Sequence, residues 1–412
     1  MGDSVQVVTT PVKLSVSVVE TEAEFKGLEP VWNKLLWTGP RPVPFLTWEW
    51  VSTWWKHFHG NSRLFVLVAR DDNGVVVGLA PLKVAVRRGF GLVPVRTVEF
   101  LGYRGSAVCA DHLDFLASPD DRQSVVDRLT QEILARREEW DAIVLADLAE
   151  DSPIPEALAR RSADEDFSFA QAAGNVCPYV RLNRDWEGFL KAMKKKRRSF
   201  VKCRRERLAS SYAVRFECDG SADHVHQHLD TLARLHGDSR RRKGERGNFH
   251  HQHYRSFHHE VAERMAAAGY LYLARLDCDN RTLAMAYGFR VGDVLFDYQK
   301  GYDTAFAHLG VGSVLQGMIV QDAIERLHAT EIDFLQGSEA YKYFWTERER
   351  HTCVALVWRK KFAGRASEAE FLLRRRLSPW KQRVQILWDS VGQRWRSMNE
   401  NRRGATPEDG KE

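Results

Sequence analysis

The stretch LFDYQKGYDTAFAHLGVGSVLQGMIVQDAIERLHATEIDFLQGSEAYKYFW, from Leu295 to Trp345, decides the fold. An aromatic and apolar strand pattern ends near Tyr302. Gly310 and Gly312 then permit a tight turn, and a helix starts at once with Leu315, Ile319, Ala323 and Leu327 on one face. A second strand, TEIDFLQG, follows. Unpaired amides at such a helix start form an anion site suited to a pyrophosphate. Glycines also serve ordinary loop-to-helix turns. What lifts this pattern above that use is its place between two strands, because a splayed parallel pair leaves backbone groups able to hold an extended donor arm.

Upstream of this unit, YLYLARLD, TLAMAYGFRVG and DVLFDYQKGY read as a meander. Before them come YVRLN, a basic helix over Trp186–Ser210, a strand VRFEC, and helices over Asp223–His236 and His253–Ala268. The first half opens with a strand VKLSVSVVE, a helix over Glu22–Leu36 and an aromatic helix in PFLTWEWVSTWWKHF. RLFVLVAR and VVVGLAPLKVAVRR flank a DDNG turn, and VRTVEFLGY extends that sheet. DHLDFLA reads as a strand, PDDRQSVVDRLTQEILARREEW as a helix and DAIVLADL as a buried strand. Both halves therefore run helices, hairpin, strand, helix, strand, which predicts a duplicated α/β fold. RSADEDFSFAQAAG, Arg161–Gly174, reads as the junction, giving domains 1–174 and 175–362.

Composition bounds the rest. Hydrophobic residues make up 44% of the 412 and include 13 Trp, a supply suited to a globular enzyme. No run approaches the roughly eighteen apolar residues of a membrane span, and MGDSVQVVTT lacks the features of a secretory signal, so a cytoplasmic protein is expected. The six cysteines form no CxxC pair, which argues against a disulfide framework or a zinc knuckle. A net charge of +6 does not indicate DNA binding. Its distribution is uneven: ten basic residues and one acid lie between Lys191 and Arg207, either a solvated face or a site that attracts phosphates. Residues 363–412 form a basic tail whose Trp-rich helix over 371–396 is expected to contact a membrane surface or to pack on the protein.

The signature GYD, LGVGSVL and IDFLQGSEAYKYFW resembles the GNAT acetyltransferases associated with cellulose and exopolysaccharide biosynthesis, relatives of the Fem-type peptidyltransferases. The likeness spans roughly Pro178 to Val357, with the N-terminal half as a looser companion. It implies tandem GNAT-like domains, each a mixed, mostly antiparallel sheet flanked by helices. It also implies an acyl-CoA donor, acetyl-CoA in the simplest case, and no metal. The pyrophosphate would lie on the amides of Leu309, Gly310, Val311, Gly312 and Ser313, with His308 beside them. Ala307 stands where such loops commonly carry Arg or Gln.

Acyl transfer needs a proton acceptor and oxyanion donors. Asp297, Asp333 and Glu339 are candidate bases, with Glu339 favoured because it follows the Gln336–Gly337 turn. Lys342 is expected to share a face with Glu339 and to hold a phosphate or the oxyanion; Tyr298 and Tyr302 are candidate donors to the thiolate. GNFHHQHYRSFHHE reads as a mobile, partly exposed loop rather than a metal site. Three function classes remain: an acyl-CoA-dependent transferase acting on a small molecule or saccharide, an aminoacyl-tRNA-dependent transferase that no recognised RNA module supports, and a non-catalytic binding module. Oligomeric state and acceptor identity stay open.

Overall fold

The computed structural model describes residues 14–103, 108–163, 166–183, 185–242, 244 and 247–374. The first half runs β1 (Ser15–Val19), α1 (Glu22–Lys26), α2 (Glu29–Thr38), α3 (Trp48–Phe58), β2 (Arg63–Leu64), β3 (Val66–Arg70), β4 (Val76–Ala80), β5 (Leu82–Gly89), β6 (Val93–Phe100), β7 (Leu116–Ala117), α4 (Arg122–Ala135), β8 (Ala142–Leu148) and α5 (Ile154–Arg161). The second begins with β9 (Phe167–Arg181), α6 (Trp186–Ala192), α7 (Lys195–Ala209), β10 (Val214–Asp219), α8 (Val225–Arg242) and α9 (Gln252–Ala267). It continues through β11 (Leu271–Cys278), β12 (Arg281–Val291), β13 (Val294–Tyr302), α10 (Val311–Glu325), β14 (Glu331–Asp333), α11 (Ala340–Tyr343) and β15 (Glu349–Arg359).

Among the described residues the strands form a four-stranded sheet, β1-β3-β4-β7, and an eleven-stranded sheet, β10-β11-β12-β13-β14-β9-β15-β8-β6-β5-β2. Most neighbours are antiparallel. The parallel pairs are β6 with β8, joined through α4, and β13 with β14, joined through α10. Each is a strand-helix-strand crossover, and its recurrence bears out the expected duplication. The fold is α/β, with mixed sheets flanked by helices, and GNAT-like.

The halves are not strung together by a linker. Gly174, expected at the boundary, lies inside β9, a single strand paired with β15 along most of its length and with β14 at its end. Gly174 abuts β15 there: a Cβ on it would stand 2.3 Å from the Thr352 hydroxyl and 2.8 Å from the Thr352 backbone carbon. In turn β15, from the end of the chain's second half, pairs with β8 of the first. The two repeats thus share a sheet through exchanged strands.

Local sequence explains the elements that carry the site. In α3, Thr47 caps the N-terminus by accepting from the Trp50 amide at 3.2 Å, and Trp48, Trp50, Trp54 and Trp55 are buried. Trp50 meets Phe257 of α9 and Phe289 of β12 edge-on, at centroid distances of 5.2 and 5.9 Å, so one core spans both halves. The His-rich segment is a loop only up to His251; from Gln252 it is α9, as the helix read over His253–Ala268 implies. His253, His258 and His259 ride on α9, and His258 is fully buried in that aromatic cluster, where burial holds its imidazole down to about 3 and neutral. The helix forms because Tyr254, Phe257, His258, Val261 and Met265 recur at helical spacing and face inward. Residues 375–396 of the expected C-terminal helix lie outside the described residues; 362–374 are helical. Among the described residues no helix is long and apolar enough to cross a membrane.

A buried ion cluster also fastens the halves. Arg41 donates to Glu331 at 3.0 Å and to Asp333 at 2.8 Å, Arg350 reaches Glu331 at 2.6 Å, and His112 Nε2 lies 3.1 Å from Asp333. Removing one partner from such a cluster leaves the others buried and uncompensated. Asp333→Ala is expected to lower unfolding stability by about 3–5 kcal/mol, read from urea denaturation; a loss below about 1 kcal/mol would mean that the cluster does not hold the halves together.

Candidate functional site

Gly310 is where the predicted loop becomes a site. Its φ of +71° places it in the left-handed region, and from there it caps α10 without any side-chain hydrogen bond. The amides of Ser313 and Val314 turn back to its carbonyl, at 2.9 and 3.0 Å, and its own amide bonds to Ala307. The anion-facing amides are therefore those of Val311 and Gly312, fewer than the run from Leu309 to Ser313 that the sequence implied. Leu309 is instead a buried core side chain, and the His308 carbonyl accepts from Arg204 at 3.0 Å. The body of α10 is buried from Val314 to Val320, while Gly312 and the exposed Ser313 open its positive end to the cavity.

Arg204 brings a cation to the loop, where Ala307 carries none. It stands on α7, whose basic residues are otherwise largely exposed, and its guanidinium packs within about 3.5 Å of the position a Gly310 Cβ would take, while lying over the Phe200 ring. One hydrogen bond to His308 leaves several of its five donors for a ligand. The sequence placed the charge on this helix; it did not say which arginine meets the loop.

Beside the loop a cavity of about 870 Å³ opens between β13 and β14. The strands pair through Val294/Glu331, Leu295/Ile332 and Phe296/Asp333, and then part. Asp297 to Lys300 line one wall and Phe334 to Gly337 the other, with Val311 to Ser313 at the helix end. Gly301 lets α8 close a third side: a Cβ there would fall 2.3 Å from the His236 amide. This brings Arg240 of α8 to the cavity, and Ser239 hydroxyl donates to the Tyr302 carbonyl at 3.0 Å.

The candidate catalytic residues divide. Glu339, Lys342, Asp297 and Tyr298 all line the cavity; Asp333 does not, because it is fully buried in the interdomain ion cluster. Burial opposes its ionisation, but His112 and Arg41 together hold the carboxyl below its ordinary range. Asp333 is thus a structural anion and not a base. Glu339 is half-exposed; burial pushes its carboxyl up, and Lys342, 2.9 Å away, outweighs this and holds it low. Asp297 is bonded to Lys300, which also reaches Gln316. Lys342 is not an oxyanion donor: its ammonium is buried and is spent on the carbonyls of Leu335, Gln336 and Gly337, at 3.0, 2.6 and 3.3 Å. It clamps a turn in which Leu335 has φ +56° and Gly337 φ +116°. Burial raises the Tyr298 hydroxyl well above its ordinary value, so it stays protonated, as a thiolate donor must.

Asp111, which the sequence reading passed over, enters from the first half together with Cys109. Its Oδ2 accepts from the Gln336 amide at 3.0 Å, while Oδ1, though buried, has no hydrogen-bond partner among the described residues. Burial, aided by the nearby Asp147 charge, pushes its carboxyl up to about 7. Cys109 is pushed up to about 12 by burial and by Asp111, so it remains a thiol and not a nucleophile. The signal that was available was three titratable residues, Asp111, His112 and Asp114, in the otherwise apolar run VCADHLDFLA. Among the described residues no group of three or more His, Cys, Asp or Glu is arranged to hold a metal ion.

With this geometry in view, residues 195–343 match the family model described as the acetyltransferase (GNAT) domain. That match lies within the second half, from the start of α7 to the end of α11. Among solved structures the chain is similar to FemX, at 12% identity and a TM-score of 0.54, covering 79% of this chain and 95% of that one. It is also similar to a conserved protein of unknown function from Bacteroides thetaiotaomicron, at 12% identity and a TM-score of 0.52, covering 84% and 100%. A third is the C-terminal domain of a protein assigned as a lysylphosphatidylglycerol synthetase from Agrobacterium fabrum, at 10% identity and a TM-score of 0.50, covering 85% and 97%. At these identities the likeness is one of fold, and it extends over both halves. No curated protein is detectably similar in sequence.

The titration of Asp111 has a thermodynamic signature. Raised from an ordinary 3.8 to about 7, it binds more protons in the folded than in the unfolded state between those values, so its contribution to stability falls as pH rises through that window. Asp111→Asn removes the effect. The stability difference between variant and wild type, measured by chemical denaturation at pH 5 and pH 8, should shift in favour of the variant at pH 8; a pH-independent difference would show that Asp111 titrates normally.

Proposed function

We propose that this protein is an acyl-CoA-dependent acyltransferase, with the donor bound by the second half. The observation that carries the reading is the conjunction at one cavity of the Gly310 left-handed cap, the Val311 and Gly312 amides and the parted β13 and β14 strands, with Arg204 packed against Gly310 beside it. A pyrophosphate would sit on the two amides with Arg204 as counter-charge. The donor arm would lie between the strands, where backbone groups beyond Phe296 and Asp333 lack one another as partners. Acyl transfer then follows if an acceptor reaches the thioester from the side that Asp111 and Cys109 line.

A saccharide, a polysaccharide precursor or a small amine fits a cavity of this size and mixed polarity. An RNA-linked donor would be the reading to adopt if acyl-CoA does not bind, with the exposed basic face of α7 as its footing. A site at the inner face of a membrane is compatible with the same basic face.

Isothermal titration of acetyl-CoA and longer acyl-CoAs into the protein tests the reading. Wild type should bind, Gly312→Trp should not, and Arg204→Ala should bind about tenfold or more weakly, the worth of a charge-assisted hydrogen bond. Absence of binding by every acyl-CoA would sink the proposal.

A further inference from the structure

We infer that this protein docks on an anionic phospholipid bilayer through a surface built by the turn between β5 and β6 and the outer side of the helix over 362–374. The inference stands apart from the donor site, because none of these residues lines the cavity.

The helix over 362–374 is apolar on two sides. Its inner side packs on the sheet: Ala363 and Phe371 join Val93, Val95, Leu356 and Trp358 in one cluster, with the Phe371 and Trp358 ring centroids 5.4 Å apart. Its outer side carries Phe362, Ala369, Leu372 and Leu373, which share a face at helical spacing and are all exposed, Phe362 by 78%. A helix that is apolar all round is ordinarily buried all round, so the outer side calls for a further partner. The turn of Phe90, Gly91 and Leu92 adjoins this helix, and the Phe90 amide donates to Glu370 at 2.8 Å. Hairpin turns ordinarily take Gly, Asn or Asp. Here Leu92 is 80% exposed, and the exposed Phe90 holds a φ of +48°, where a bulky side chain is costly. Five of the ten large apolar side chains exposed among the described residues thus lie on these two adjoining segments. Such a concentration marks an interaction surface.

Charge selects the occupant. Arg87 of β5 and Arg365 and Arg374 of the helix are exposed beside the apolar residues. The acids that Arg87 and Arg374 answer, Glu99 and Glu370, lie beneath them, with side chains only 10% and 18% exposed, so cations face outward. Beyond Arg374 the chain runs on into RRLSPWKQRVQILWDSVGQRWR, residues 375–396, with six Arg or Lys, one Asp and three Trp. A second copy, or this segment folded back, would set cations against cations. An anionic bilayer meets both needs at once. Its acyl boundary takes the apolar side chains, its phosphates pair with the arginines, and tryptophans favour the interfacial layer. The contact is one of surface docking, since among the described residues no helix is long and apolar enough to cross.

The test is co-sedimentation of the full chain with vesicles of phosphatidylcholine, with and without phosphatidylglycerol. Wild type should prefer the phosphatidylglycerol vesicles by about tenfold or more, the worth of one or two arginines at a charged surface. It should lose this preference in about 1 M salt, which screens charges beyond roughly 3 Å. Leu92→Ser/Leu373→Ser, at two exposed positions, keeps the charge and should bind about tenfold or more weakly, with an unchanged unfolding midpoint. Arg365→Gln/Arg374→Gln should weaken binding to a similar extent and flatten its salt dependence. Wild type that binds neither vesicle or both alike, or binding that Leu92→Ser/Leu373→Ser leaves unchanged, overturns the inference. So does a dimer in solution that the same double variant dissociates, without vesicle binding, which would give the surface to a second copy.

Discussion

Three residue pairs hold β13 to β14, and beyond Phe296 and Asp333 the strands part. Nearly everything at the site follows from keeping that gap open. Two strands with unpaired edges tend to close or to recruit another chain, so the gap needs fixed walls. On one wall the buried Lys342 ammonium draws the carbonyls of Leu335, Gln336 and Gly337 into a turn and directs them away from β13. On the other, Gly301 admits α8 against β13, and a side chain there would push the helix off. At the closed end the Arg41, His112 and Arg350 cluster fixes Asp333, so the parting begins at a defined point. A carboxylate that looked catalytic is thus the hinge post of the cavity.

What was legible in the sequence was what is local. The Gly310 turn, the helix after it, the strands around it and the alternation of elements in both halves are written in patterns a few residues long, and the structure reproduces them. The sheet's actual path was not legible: β9 is a strand because β14 and β15 flank it, and nothing in FSFAQAAG announces those partners. The helix over His253–Ala268 was legible from the Tyr254, Phe257 and Val261 spacing, whereas the burial of His258 was not, because the aromatic rings around it come from α3, β12 and β13. Asp111 and Arg204 were missed as site residues because they reach it across 225 and 104 positions to Gln336 and His308. Local pattern fixes which residues carry charge; tertiary packing decides which of them meets the cavity.

The duplication gives the two halves the same crossover and different contents. In the second half the chain passes from β13 to α10 through a short segment that ends on Gly310, leaving a helix start without a side-chain cap. In the first half the passage from β6 to α4 is longer, carries β7, and meets α4 at Asp120 and Asp121. Two carboxylates at a helix N-terminus complement its dipole and would repel a pyrophosphate. The start of α4 is therefore less suited to a pyrophosphate than the start of α10. Its longer passage instead carries Asp111 across to the Gln336 amide, into the gap that the second half holds open. On this reading the repeats have divided the work: one keeps a helix start suited to an anion, and the other has turned the corresponding segment into a wall of its partner's cavity. The shared sheet makes that division stable, because β9 and β15 fix the register between the wall and the gap.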